Sequence, residues 1–302
     1  MRETGQSGFL DLPEELREPR RARVHVLPIP YEATVSYEKG TREGPRAIIS
    51  ASQEVELYDA ECDGEPCRSW GAHTLPALPC DWRTAEEMMA AVAAAAEPVV
   101  RAGKLLVALG GEHSISAGVV RGVRRAIPEP LTIVQIDAHA DLRDTFRGTP
   151  YSHACAMRRI LDENPGGPTV QIGIRSYSAE EAAFIRDNRG RISIWSTDLI
   201  RSEDPAAFQH RLLARLAGRK MYLTIDVDGL DPSVVPATGT PEPDGLGWKQ
   251  ACEIVKGVAS AGEVVAMDCV ELSPRPGLHM SEFSVAKLLY KTITYIMAAR
   301  SR

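Results

Sequence analysis

The stretch Leu131-Thr-Ile-Val-Gln-Ile-Asp137-Ala-His139-Ala-Asp141 is an apolar run that ends in three metal-ligating side chains, each separated by one alanine. On extended backbone successive side chains point to opposite faces, so residues two apart share a side. Asp137, His139 and Asp141 can therefore converge on one locus, where the small alanines leave room. A buried strand ending in Asp-x-His-x-Asp is costly unless its charges are paired or coordinated, and that cost points to a metal site. Three other apolar runs end in the same kind of chemistry. Lys104-Leu-Leu-Val-Ala-Leu leads into Gly110-Gly-Glu-His113, Met221-Tyr-Leu-Thr-Ile into Asp226-Val-Asp228, and Val264 to Val270 into Glu271.

Six residues are candidate ligands: His113, Asp137, His139, Asp141, Asp226 and Asp228. Two imidazoles and four carboxylates form a hard, oxygen-rich set that suits Mn²⁺, whereas a structural zinc site would favour cysteine. Four carboxylates balance two divalent cations, and a bridging hydroxide then leaves one net negative charge, which suits a cationic substrate. Two ions roughly 3.5–4 Å apart can share carboxylates and generate hydroxide near neutral pH. Asp137 and Asp226, the first ligands at their strand ends, are the bridging candidates.

The elements that must hold these residues follow from patterning. After a first strand at Arg23-Val-His-Val-Leu-Pro-Ile, a helix through Ala47 with Pro45 in its first turn is expected. An edge strand is expected near Trp70 to Leu75. An Ala-rich packing helix starts at Thr84, with Glu87 completing a capping box and Pro98 expected to kink or shorten it. Strands then alternate with helices: 104–109, 131–136, 170–174, 191–195, 221–225 and 264–270 against 114–126, 152–162, 179–187, 205–217 and 248–259. A last helix runs from about Ser281, its expected cap, to Ala298. Such alternation predicts a three-layer α/β/α sandwich with a mostly parallel sheet of about eight strands. In open parallel sheets ligands bind outside the carboxyl ends of the strands, where all the candidate ligands fall. Residues 1–22 are expected as an N-terminal arm over the surface or into a neighbouring subunit, and 23–302 as a single catalytic domain.

The 302 residues carry a formal net charge of −6, with 44% hydrophobic and 25% charged residues. That balance argues against nucleic acid or an anionic membrane as partner. The six cysteines are scattered, form no Cys-x-x-Cys pair and are expected as free thiols of a cytoplasmic protein. Gly110-Gly111 lies in no phosphate-loop pattern, and is expected to let the backbone turn tightly before His113.

Taken together, Gly110-Gly-Glu-His-Ser, Asp137-Ala-His-Ala-Asp, Ser152-His153-Ala, Asp226-Val-Asp-Gly-Leu-Asp-Pro and Gly239-Thr-Pro-Glu-Pro closely resemble the ureohydrolases, the arginase and agmatinase enzymes. The segment Tyr151-Ser-His-Ala-Cys-Ala-Met-Arg-Arg is similar to the agmatinase branch. The resemblance implies the arginase/deacetylase-like fold and two manganese ions per chain. It places His113, Asp137, Asp141 and Asp226 on one ion, and Asp137, His139, Asp226 and Asp228 on the other. It also implies proton transfer by His153 and pairing of the substrate guanidinium with Glu271. Both roles have independent physical support, since an imidazole titrates near neutrality and a planar guanidinium wants a bidentate carboxylate. A metal-bridging hydroxide, steered by Asp141, would attack the guanidinium carbon of agmatine to release urea and putrescine, a step of polyamine biosynthesis. Homo-oligomers, trimers or hexamers, are implied as well.

Related guanidino-acid hydrolases and arginase are the alternatives. The loop Pro30-Tyr-Glu-Ala-Thr-Val-Ser-Tyr departs from the Asp-Gly common in agmatinases, and Arg143, Arg147 and Arg175 are candidate partners for a substrate carboxylate. A non-catalytic metal-binding homologue would lack ligands, His153 or Glu271, all of which are present. A zinc deacylase would need a mononuclear site. Cys155, two residues from His153, is a conceivable nucleophile but is expected in helix packing.

Overall fold

In a computed structural model that describes residues 8–80 and 84–301, eight strands form one all-parallel sheet: β1 (Val24–Ile29), β2 (Ala72–Thr74), β3 (Leu105–Gly110), β4 (Thr132–Ile136), β5 (Thr169–Ile174), β6 (Ile192–Ser196), β7 (Lys220–Asp226) and β8 (Glu263–Val270). The order β2-β1-β3-β8-β7-β4-β5-β6 puts β3, β8, β7 and β4 side by side in the middle of the sheet. These are the four strands whose ends carry the candidate ligands and Glu271. The register keeps the ends level, with Ile136 beside Ile225 and Asp226 beside Val270.

Strands buried on both faces explain the nearly continuous apolar runs. Alternate residues of β3 feed two cores: Leu105, Val107 and Leu109 face one, and Leu106 and Ala108 the other. The first core is closed by the helices Gly44–Ser52, Pro205–Leu216, Trp248–Ala261 and Met280–Ala299. The second is closed by Ala85–Arg101, Ile115–Ala126 and Ala156–Glu163. The three layers expected from the alternation are therefore present.

Thr84 and Glu87 make the reciprocal capping box, and Pro45 lies in the first turn of its helix. Pro98 does not end its helix, which continues to Arg101. Its missing N–H falls near the end of the helix, and Val99 and Val100 beyond it are buried. Ser281 is not a cap: the last helix starts at Met280, and the Ser281 hydroxyl accepts from the Ala237 amide instead. Short helices at Glu14–Arg17, Cys67–Trp70 and Thr197–Ser202 are too brief to leave a periodic signal. Of the expected arm, residues 1–7 lie outside the described residues. Phe9, Leu10, Leu12 and Leu16 are buried in the first core of their own chain. No helix among the described residues is long and apolar enough to cross a membrane.

Candidate metal centre

Beyond the strand ends the backbone turns so that the charged side chains gather over β3, β8, β7 and β4. His113 and its carboxylate neighbours form the first group. Its Nδ1 lies 3.2 Å from Asp137, 3.0 Å from Asp141 and 3.4 Å from Asp226. The second group centres on His139, whose Nδ1 is 3.0 Å from Asp228 and 3.7 Å from Asp137. His113, Asp137 and Asp141 are spaced to hold one ion, and Asp137, His139 and Asp228 a second, so Asp137 belongs to both groups. Asp226 stands between them: it faces His113 and accepts from the Asp228 amide at 3.0 Å.

Three observations fit this donor set to metal ions. First, the Nδ1 of His113 is buried and has no hydrogen-bond partner, although three carboxylates surround it. Its Nε2 is taken by the Thr224 hydroxyl at 2.9 Å, which orients the ring. Secondly, Asp141 and Glu271 both have left-handed backbone, φ 52° and 66°. Strain of this kind persists only where surrounding structure enforces it, and it clusters at functional sites. Thirdly, the charges are unbalanced without a cation. Burial and the carboxylates of Asp228 and Asp141 push Asp137 up to about 7, and burial with Asp228 raises Asp226 well above the usual carboxylate range. Burial alone would lower both imidazoles, but the carboxylates outweigh it: His139 rises to about 11, held mainly by Asp228, and His113 is also strongly raised. Asp228, also buried, is shifted the other way because His139 favours its ionised form.

The remaining predicted residues share this site. His153 and Glu271 line the same cavity of about 260 Å³ as His139, Asp141, Asp226 and Asp228. Glu271 is 7% exposed and accepts the His113 amide at 2.7 Å. Burial and the nearby Glu112 carboxylate hold Glu271 well above the usual range, so a cationic ligand would be strongly favoured there. Arg143 lines the cavity, and it and Arg147 lie over the Phe146 ring. Arg175 is occupied elsewhere, donating to the carbonyls of Asp228, Glu242 and Pro243. Cys155 is buried, and that burial pushes its thiol up to about 11, which disfavours a nucleophilic thiolate. A larger cleft of about 920 Å³ runs along β1 and β2 and contains none of these residues.

Several supporting residues were not singled out from sequence. Gln135 donates to Asp137 at 2.6 Å, and Gln171 donates to Gln135 and to the Ala140 carbonyl. The signal for Gln135 was its presence as the one residue from Ile133 to Ile136 that is not β-branched and apolar. Thr240 donates to Asp228 at 3.3 Å, and Glu242 approaches His139 at 3.7 Å. The Gly110-Gly111 pair does not act through a left-handed turn, since neither has positive φ. Gly111 is required for space: a Cβ there would lie 2.0 Å from the Tyr31 carbonyl oxygen.

Comparison with known proteins gives the family. The model of the arginase family matches residues 22–294. The N(1)-aminopropylagmatine ureohydrolase of Synechocystis sp. is 40% identical over 296 residues, covering 97% of this chain and 94% of its own. The agmatinase of Bacillus cereus is 31% identical over 84% of each chain. The crystal structure of agmatine ureohydrolase from Thermoplasma volcanium superimposes with a TM-score of 0.86 at 29% identity, over 98% of this chain and 96% of that one. With the family model spanning nearly the whole chain and the site residues gathered at the expected sheet edge, the chain belongs to the arginase family and is a hydrolase.

Proposed function

We propose that this protein hydrolyses a guanidino compound to urea and an amine at a site holding two manganese ions. The observation that carries this reading is the gathering of two ligand groups that share Asp137 at one cavity, whose lining includes His139, Asp141, Asp226 and Asp228 together with Glu271 and His153. His113, Asp137, Asp141 and Asp226 would hold one ion, and Asp137, His139, Asp226 and Asp228 the other. When bound, the two ions act as Lewis acids and supply hydroxide near neutral pH.

The chain's own residues do the rest. The Glu271 carboxylate pairs with the planar guanidinium and fixes its orientation. Binding that cation neutralises a carboxylate that burial otherwise penalises, so charge recognition and orientation come from one contact. Asp141, between His113 and the cavity, accepts a hydrogen bond from the attacking water. His153 delivers the proton that turns the leaving nitrogen into a free amine.

The substrate tail is a polyamine in this reading. The relative at 40% identity is named for N(1)-aminopropylagmatine and the one at 31% for agmatine, which supports the longer tail first and agmatine second. The test is urea release by the manganese-loaded protein from N(1)-aminopropylagmatine, agmatine, arginine, guanidinobutyrate and guanidinopropionate. Release from the two polyamines is expected. Preference for a guanidino acid would overturn the assignment of the tail, and no urea from any of the five would overturn the function.

A further inference from the structure

The loop departing from the agmatinase pattern, 31–36, packs directly on His153. Its Thr34 hydroxyl oxygen accepts the His153 backbone N–H at 2.9 Å and lies 3.3 Å from the ring Nδ1. The loop is fixed from beneath by Glu112, a fully buried carboxylate in the Gly-Gly-Glu-His run. One oxygen of Glu112 accepts the amides of Ala33 and Thr34, both at 2.6 Å. The other accepts the hydroxyls of Thr34 and Ser114, again at 2.6 Å.

A hydroxyl has a single proton and two lone pairs. The Thr34 proton is committed to a short, charge-assisted bond with Glu112. Toward His153 the Thr34 oxygen can then only accept. One lone pair takes the backbone N–H, and the other faces Nδ1.

We infer that Thr34, anchored on Glu112, is a positioning residue for His153: it accepts from Nδ1–H, so that Nε2 is the atom exchanging a proton with the cavity. The Phe146 ring packs edge-on against His153 at 5.9 Å and holds the imidazole from another side. Ser152 is the competing partner, since its hydroxyl also lies 3.3 Å from Nδ1. Unlike Thr34, it has no carboxylate partner among the described residues, so it does not dictate a tautomer. The inference rests on the role given to His153 above.

The test uses the full chain and the variants Thr34→Val, Thr34→Ser and Ser152→Ala. Thr34→Val keeps the shape and removes the acceptor. With manganese loaded, its kcat should fall about 10- to 100-fold, part of the roughly 10²- to 10⁴-fold that a positioned proton-transfer group contributes, while KM and manganese content hold. Thr34→Ser should recover most of the rate, and Ser152→Ala should cost less than Thr34→Val. Nitrogen-15 NMR of the histidine rings, with diamagnetic zinc in place of manganese, should show His153 protonated at Nδ1 in the parent and a changed tautomer balance in Thr34→Val. An unchanged kcat in Thr34→Val, failure of Thr34→Ser to recover, or a neutral ring protonated at Nε2 in the parent would each overturn the inference. If the parent chain releases no urea from any guanidine, the proposed function fails, and the NMR result still decides the tautomer.

Discussion

Asp137 is the residue on which the candidate centre turns, because it belongs to both ligand groups, with Asp226 standing between them. Its oxygens are already oriented by protein donors, Gln135 on one and the His139 amide on the other, each at 2.6 Å. Asp228 by contrast serves only the group around His139. In the proposed two-ion centre, Asp137→Ala should therefore bring manganese from two per chain toward none, whereas Asp228→Ala should retain about one. Metal analysis of the purified proteins, with circular dichroism to confirm folding, distinguishes the two. Asp137→Ala protein that keeps two ions would show that the shared carboxylate is not a bridge.

At the scale of elements, the sheet positions the ligands and the helices hold the sheet. The Ala-rich helix Ala85–Arg101 packs so closely on Ile115–Ala126 that Gly118 and Gly122 leave no room for side chains. A Cβ at Gly118 would lie 2.9 Å from the Met89 carbonyl oxygen, and one at Gly122 2.6 Å from that of Ala93. The same helix begins just after His113, so its placement bears on the ligand as well as on the core. Gly122→Val should destabilise the fold by about 1–3 kcal/mol, the usual cost of overpacking. A thermal melt should show a lowered Tm, with two manganese ions still bound below the transition. An unchanged melt would mean that the two helices part at little cost.

For the whole molecule, the unpaired charge of the centre links metal, protons and stability. His139 is raised from 6.5 to about 11, so in the metal-free fold it carries a proton throughout the range between those values. A group raised in the folded state stabilises that state fully below its unfolded pKa, and the contribution is lost as pH rises through the folded one. A ligating imidazole must be bare, so metal must displace this proton, and apparent affinity rises with pH. Manganese should raise Tm by several degrees, since a hundredfold excess over Kd is worth about 2.7 kcal/mol. The increment should grow between pH 7 and 9, and titration calorimetry in buffers of different ionisation enthalpy should show proton release. An increment that shrinks with pH would contradict the charge balance described here.

The strand endings made the fold and most of the centre readable from sequence. The βα alternation forces a parallel sheet whose carboxyl ends lie together. The period of two that suggested one locus for Asp137, His139 and Asp141 does not extend past Ile136: Asp141 turns left-handed toward His113, while His139 meets Asp228. Local chemistry was legible where it acts within a few residues, as in the Thr84–Glu87 box. Tertiary structure alone decided the rest. Ser281 looked like a cap until Ala237 claimed its hydroxyl, and Pro98, expected to kink or shorten its helix, lies inside it with buried Val99 and Val100 beyond. The strand order that puts β8 between β3 and β7 brings Glu271 against His113, 158 residues apart in sequence. Thr34 meets His153 across 119 residues. No periodicity encodes such contacts, because they depend on how loops from different strands fold over the same edge of the sheet. The sequence determined which residues could do the chemistry, and packing determined which side chains orient them.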